Sequence, residues 1–222
     1  MRTPIVVHNA PVVVPLPPRP ARTDGAIHLV HHGIARRLRS IELMIRAIAL
    51  ADKRFVLHFM LTGDDEEYIL FLRAEADRLA PGRIVFEPTV KPDEIVPVIS
   101  RYDAGLFLLP PVVFNYEHAM PNKFFDFIGA GLGVIIGPSL NMAKFAREHA
   151  IGWVADDFEP ETLARLLNTI TPDQIEERRA ASLKLRETVN AGTEMSKLMD
   201  LVLRVAARKP KKSGSTGPVG QP

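Results

Sequence analysis

Short apolar runs separated by longer amphipathic stretches set the rhythm of this chain. The runs 27-IHLVHH-32, 55-FVLHFMLT-62, 83-RIVFE-87, 104-AGLFLL-109 and 133-GVIIG-137 predict buried strands. Between them, apolar positions recur at helical spacing over about 39–52, 65–80, 92–101, 121–130 and 140–149. A sixth short strand is expected at 151-IGWVAD-156, followed by helices over about 159–170 and, as one long element, 172–206. Strands alternating with helices imply right-handed crossovers, so the expected fold class is α/β. The expected architecture is a Rossmann-like, doubly wound parallel sheet of about six strands with helices on both faces. Ligands on such folds bind at the carboxyl ends of the strands, near the point where strand order reverses. The residues just after the strands are therefore the candidates for chemistry.

Both ends of the chain break the rhythm. Residues 1–24 carry Pro4, Pro11, Pro15, Pro17, Pro18 and Pro20, which rule out a helix or a central strand and predict an extended linker or a strap. Residues 207–222 are basic, then rich in Gly, Ser and Pro without aromatics, a composition that predicts disorder. What remains, 25–206, is expected to form one domain.

Composition adds mainly exclusions. With 46% hydrophobic and 24% charged residues, the chain has the material for an ordinary globular core. Its 28 Lys+Arg against 26 Asp+Glu are too balanced to indicate a nucleic-acid partner. The pI near 9.0 comes partly from 208-RKPKK-212. The absence of cysteine excludes disulfides, thiolate metal sites and a cysteine nucleophile. The N-terminus has a single early Arg and is broken by prolines, unlike a secretory leader, and no run has the length of a membrane span. The expected location is the cytoplasm.

Three strand ends hold candidate residues. After the first strand, Gly33 is followed by Arg36, Arg37 and Arg39 and then a helix, which reads as a phosphate site or, equally, as solvated surface arginines. There is no Walker lysine–serine pair and no GxGxxG, so locally the solvated reading prevails. After the second strand, Gly63 makes a tight turn, and the acidic 64–67 run suits capping of the next helix better than metal. The third is 120-MPNKFFDFIGAGLGVII-136. Pro121 suits the first helical position, and Met120 has no side-chain oxygen to cap it. A bound anion could take the free N–H groups, with Lys123 adding charge; alternatively Asn122 or water caps and Lys123 pairs with Asp126. Phe124, Phe125, Phe127 and Ile128 are core, and the glycines after them are a helix cap and turn. The seven histidines form no set at metal-ligand spacing, and His58, within an apolar strand, is expected to be a satisfied core residue.

This order of elements and motifs resembles the C-terminal, donor-binding half of GT-B glycosyltransferases of the family 4, or group 1, type. The resemblance covers roughly 5–205 and rests on 6-VVHNAP-11, 33-GIARRLRSIELMIRAI-48, 121-PNKFFDFIGAGLGVI-135 and 151-IGWVADDFEPETLARLL-167. It implies a nucleotide diphospho-sugar donor as the bound partner, with no metal and no further cofactor. It also implies that Arg39, in place of the family's lysine, and Lys123 act catalytically on the pyrophosphate. Asp126 would accept from the ribose, with Gly33, Gly63, Pro121 and Asn122 lining the nucleotide-sugar site. His118 stands where the family often has a carboxylate that touches the sugar, and Ile34 where it often has arginine. The resemblance further implies a retaining hexosyltransferase whose acceptor domain, with any peripheral membrane contact, is separate or missing. The alternative is a non-catalytic nucleotide-sugar-binding or interaction domain that keeps the fold without turnover.

Overall fold

The computed structural model describes residues 4–21 and 23–207. Of the predicted tail, residues 208–222, with the basic 208-RKPKK-212, lie outside the described residues. Six parallel strands form one sheet: β1 (Ile27–Ile34), β2 (Phe55–Thr62), β3 (Ile84–Phe86), β4 (Ala104–Phe107), β5 (Gly133–Ile136) and β6 (Gly152–Val154), in the order β3-β2-β1-β4-β5-β6. Strand order reverses between β1 and β4. β1 pairs with β2 along its whole length, from Ile27 opposite Phe55 to Ile34 opposite Thr62. It pairs with β4 only at Leu29–Ala104 and Val30–Gly105. His31–Ile34 therefore run on past their last partner on that side, and a crevice opens at the reversal point.

The helices are α1 (Glu42–Leu50), α2 (Glu66–Leu79), α3 (Ile95–Ile99), α4 (Phe114–His118), α5 (Asn122–Gly129), α6 (Leu140–Glu148), α7 (Pro160–Thr169), α8 (Pro172–Leu185) and α9 (Ala191–Ala206). Leu29, Phe59, Leu106 and Ile135 face one core with side chains of α1, α2 and α7. Their neighbours Val30, Phe107, Val134 and Ile136 face the other, with α3, α5 and α6. Both sheet faces are thus covered, which is why the strands read as unbroken apolar runs rather than alternating ones.

Helix α5 lies unusually close to the sheet. A Cβ on Gly105 of β4 would fall 2.2 Å from the ring of Phe127, so only glycine admits that ring. At its far end α5 closes with a Schellman motif. Gly131 takes φ +66, Gly131 N–H donates to the Ile128 carbonyl at 3.0 Å, and Leu132 N–H donates to that of Phe127 at 2.9 Å. The expected helix cap and turn in 129-GAGLGVI-135 is this motif.

Three further features refine the expected fold. The described part of the proline-rich lead is a strap, not a loose tether. Asn9 Nδ2 donates to Asn122 Oδ1 at 2.8 Å, Ala191 N–H to the Pro11 carbonyl at 2.9 Å, and Arg186 to the Val14 carbonyl at 2.6 Å. Arg19 then pairs with Asp103 and Glu176. The single helix expected over 172–206 is two. Asn190 caps α9 by accepting from Thr193 N–H at 3.1 Å while Thr193 Oγ1 accepts from Asn190 N–H, a capping box that overrides the continuous helical pattern. His58 is a satisfied core residue, bonded to His28 at 2.8 Å and to Glu87 at 2.8 Å. Among the described residues no helix is long and apolar enough to cross a membrane.

Because Phe127 occupies the space a side chain at 105 would need, Gly105→Ala should lower stability by about 1–3 kcal/mol. A urea midpoint unchanged from wild type would show that α5 can lift without loss.

Candidate functional site

A cleft of about 620 Å³ lies at the carboxyl ends of β1 and β4. It collects Gly33, Arg39, Pro121, Asn122, Lys123 and Asp126, six of the eight residues singled out from the sequence. The other two stand outside it. Gly63 lies against the Ala35 backbone, where a Cβ would approach the carbonyl oxygen at 3.2 Å. His118 ends α4, its ring tilted against that of Phe114 at 4.7 Å between centroids, and its carbonyl accepts from Asn141 at 2.8 Å.

The floor of the cleft is the start of α5. Pro121 is the N-cap, extended at φ −76 and ψ 156, so the helix begins at Asn122, one residue later than the proline suggested. No side chain caps it. Asn122 is turned to the strap, as described, and does not fold back on its own helix. Only Phe124 N–H reaches the Pro121 carbonyl, at 3.0 Å. The helix end therefore presents backbone donors and the positive pole of its dipole to the cleft.

Lys123 does not extend from the helix tip into water, nor does it pair with Asp126. It is 6% exposed, with Nζ 3.0 Å from His31 Nε2 and 4.4 Å from the centre of the Phe107 ring. Glycine at position 33, with φ +117, makes room, since a Cβ there would stand 3.2 Å from Nζ. Among the described residues Lys123 forms no ion pair. Burial, and then the charge of Arg39, hold its pKa well below the usual lysine value, with Asp126 opposing. An anion entering the cleft would reverse that penalty.

Asp126, one turn along, is 16% exposed at its side chain. Burial pushes its pKa up to about 6, against the pull of Lys123. Its Oδ2 lies 3.5 Å from His32 Nε2 without forming a hydrogen bond, and that nitrogen is buried with no hydrogen-bond partner among the described residues. Burial and the Lys123 charge hold His32 down to about 3, so the ring is neutral and the two do not form an ion pair. The arginines of the first turn separate. Arg37 pairs with Asp65 at 3.3 Å and Glu67 at 3.2 Å, Arg36 is exposed, and Arg39 alone of the three lines the cleft, donating to the Ile34 carbonyl at 3.1 Å. Asp65 meanwhile caps α2 through Tyr68 N–H at 2.9 Å, the capping role expected of the acidic run.

His31 and His32 also stand at the site, and their only signal in the sequence is a histidine doublet near the end of a buried strand. Asn115 and Tyr116 line the cleft from α4, a five-residue helix in a stretch whose pattern predicts irregular loop.

No protein-family model matches the chain, and no curated protein does. Solved structures do. HepE from Anabaena, in complex with UDP and glucose, superposes with a TM-score of 0.66 at 14% identity, over 81% of this chain and 49% of its own. A glycosyltransferase from Rickettsia africae gives 0.66 at 11%, over 85% and 50%. The fold is that of one half of a GT-B glycosyltransferase. The pneumococcal O-GlcNAc transferase GtfA, in complex with UDP and GlcNAc, agrees at 0.62 and 14%, over 90% of this chain and 39% of its own. At such identities the likeness is one of fold, and this chain spans about half or less of each of those proteins.

The raised pKa of Asp126 has a stability consequence. A carboxyl held above its ordinary value adds stability at low pH and loses it as pH rises through about 6. Asp126→Asn should therefore be more stable than wild type at about pH 7.5, by up to roughly 3 kcal/mol, with the gain fading toward about pH 4. Urea unfolding at the two pH values measures this; an Asn variant weaker than wild type at the higher pH would contradict it.

Proposed function

We propose that this chain is the nucleotide-diphospho-sugar-binding half of a glycosyltransferase. The observation that supports this most is Lys123, a buried amine without an ionic partner among the described residues, set between Arg39 and the start of an uncapped helix in a cleft at the sheet's reversal point. Three positive elements converge on one space, and the group that answers them is a diphosphate. Asp126, behind them along α5, suits an acceptor for the ribose hydroxyls. UDP is the first nucleotide to test, since the neighbours' structures carry it.

In this scheme the bond between the sugar's anomeric carbon and the diphosphate oxygen breaks as the acceptor hydroxyl oxygen bonds to that carbon and its proton passes to the departing diphosphate. Negative charge grows on the leaving diphosphate, where Arg39, Lys123 and the N–H groups of α5 stabilise it. The reaction needs no metal. We assign it as retaining transfer of a hexosyl unit to a glycan or lipid-linked acceptor, held by a second domain that carries any membrane contact, in the cytoplasm. A second reading, a nucleotide-sugar-binding domain without turnover, draws on His118. That residue stands where a sugar-contacting carboxylate is expected and lies outside the cleft.

Thermal melting with UDP, GDP and ADP and their sugars tests the reading, because a ligand bound only by the folded state raises the midpoint. At about a hundredfold excess over Kd the stabilisation is about 2.7 kcal/mol. Arg39→Ala should weaken diphosphate binding about ten- to a hundredfold, while Arg46→Ala, exposed on α1, should leave it unchanged. No shift with any nucleotide, or equal effects of the two variants, would sink the assignment.

A further inference from the structure

Two histidines in the second half of β1, His31 and His32, are not used by the scheme above, and one of them has a fixed proton. His31 is 1% exposed, with Nδ1 2.9 Å from the Leu106 carbonyl and Nε2 3.0 Å from Lys123 Nζ. A carbonyl oxygen can only accept, so Nδ1 carries the hydrogen. A neutral imidazole then has a lone pair at Nε2, and Lys123 is the donor to it. Protonating Nε2 would set two donors against each other. The Phe59 ring, T-shaped to His31 at 5.8 Å, and the Phe107 ring, tilted at 5.7 Å, flank the imidazole, and glycine at 33 leaves room for the amine.

We propose that His31 is a positioning residue: it anchors the Lys123 amine at the lip of the cleft through a relay from the Leu106 carbonyl, so that a diphosphate meets a lysine already in place. This rests on the nucleotide-diphosphate reading of the cleft. Its physical basis is entropy. A lysine has four side-chain torsions, and fixing them only when the ligand arrives weakens binding. An anchored lysine has already lost that freedom during folding. The relay also keeps the lysine from the carboxylate of Asp126, leaving both groups for the ligand. β4 supplies the carbonyl, β1 the histidine and α5 the lysine, so the anchor ties together the elements that meet at the reversal point.

Two measurements on the full chain test this. The first needs no ligand and no variant: long-range 1H–15N correlations of the wild-type imidazoles. His31 should be the neutral Nδ1–H tautomer across roughly pH 5–8. An Nε2–H tautomer or an imidazolium in that range would overturn the anchor, whatever the cleft binds. The second compares UDP with uridine by calorimetry in wild type, His31→Asn and His31→Gln. Asparagine keeps a donor for the Leu106 carbonyl but offers nothing to Lys123; glutamine reaches Lys123 with an acceptor oxygen. The ratio of UDP to uridine affinity should fall about tenfold in His31→Asn and recover to within about threefold of wild type in His31→Gln. Equal loss for UDP and uridine, or an unchanged ratio in both variants, would overturn the positioning role. Wild type that binds neither ligand, with the tautomer as stated, would remove the nucleotide reading and leave the anchor.

Discussion

The packing of Phe127 over Gly105 sets the distance between α5 and β4, and the chemistry of the cleft depends on that distance. With α5 drawn onto the sheet, Lys123 is short of water and within reach of His31, which sits on the next strand with its ring held by the Leu106 carbonyl. Were the helix a few ångströms further out, Lys123 would be an ordinary surface lysine and Asp126 an ordinary carboxylate. Close packing, a core property, is what gives these two side chains their shifted proton affinities.

Contacts outside the cleft keep the site polarised rather than neutralised. Arg37 is taken by Asp65 and Glu67, and Asn122 by the strap residue Asn9. Arg37 thereby occupies the carboxylates of Asp65 and Glu67, and Asn9 the Asn122 side-chain oxygen, groups that could otherwise answer the loop charge or the helix end. What stays in the cleft is Arg39, Lys123, the helix donors and one carboxylate further back. Folding has placed like charges together at some expense to stability, an arrangement that suits a multiply charged anion.

The sheet, its order of elements and both cores were legible in the sequence, because strands covered on two faces must be apolar throughout and the crossovers must be helical. The cleft's location followed from topology. Less legible was what depends on three-dimensional approach. Nothing in 31-HH-32 announces that one ring faces Lys123 and the other Asp126, since the residues are separated by ninety-odd positions and meet only when β1 and α5 are packed. The break between α8 and α9 was missed because its signal, 190-NAGT-193, is a cap buried in a continuous helical pattern. His118 ends α4 beside Phe114 and is not among the residues that line the cleft, a placement no local sequence signal carries.

The most direct test is a crystal structure of the full chain grown with UDP. The diphosphate should lie at the start of α5, with oxygens within hydrogen-bond distance of Lys123 Nζ and Arg39 and the ribose hydroxyls on Asp126. A nucleotide found elsewhere, or one seated in the cleft with its diphosphate pointing away from Lys123 into solvent, would contradict the account.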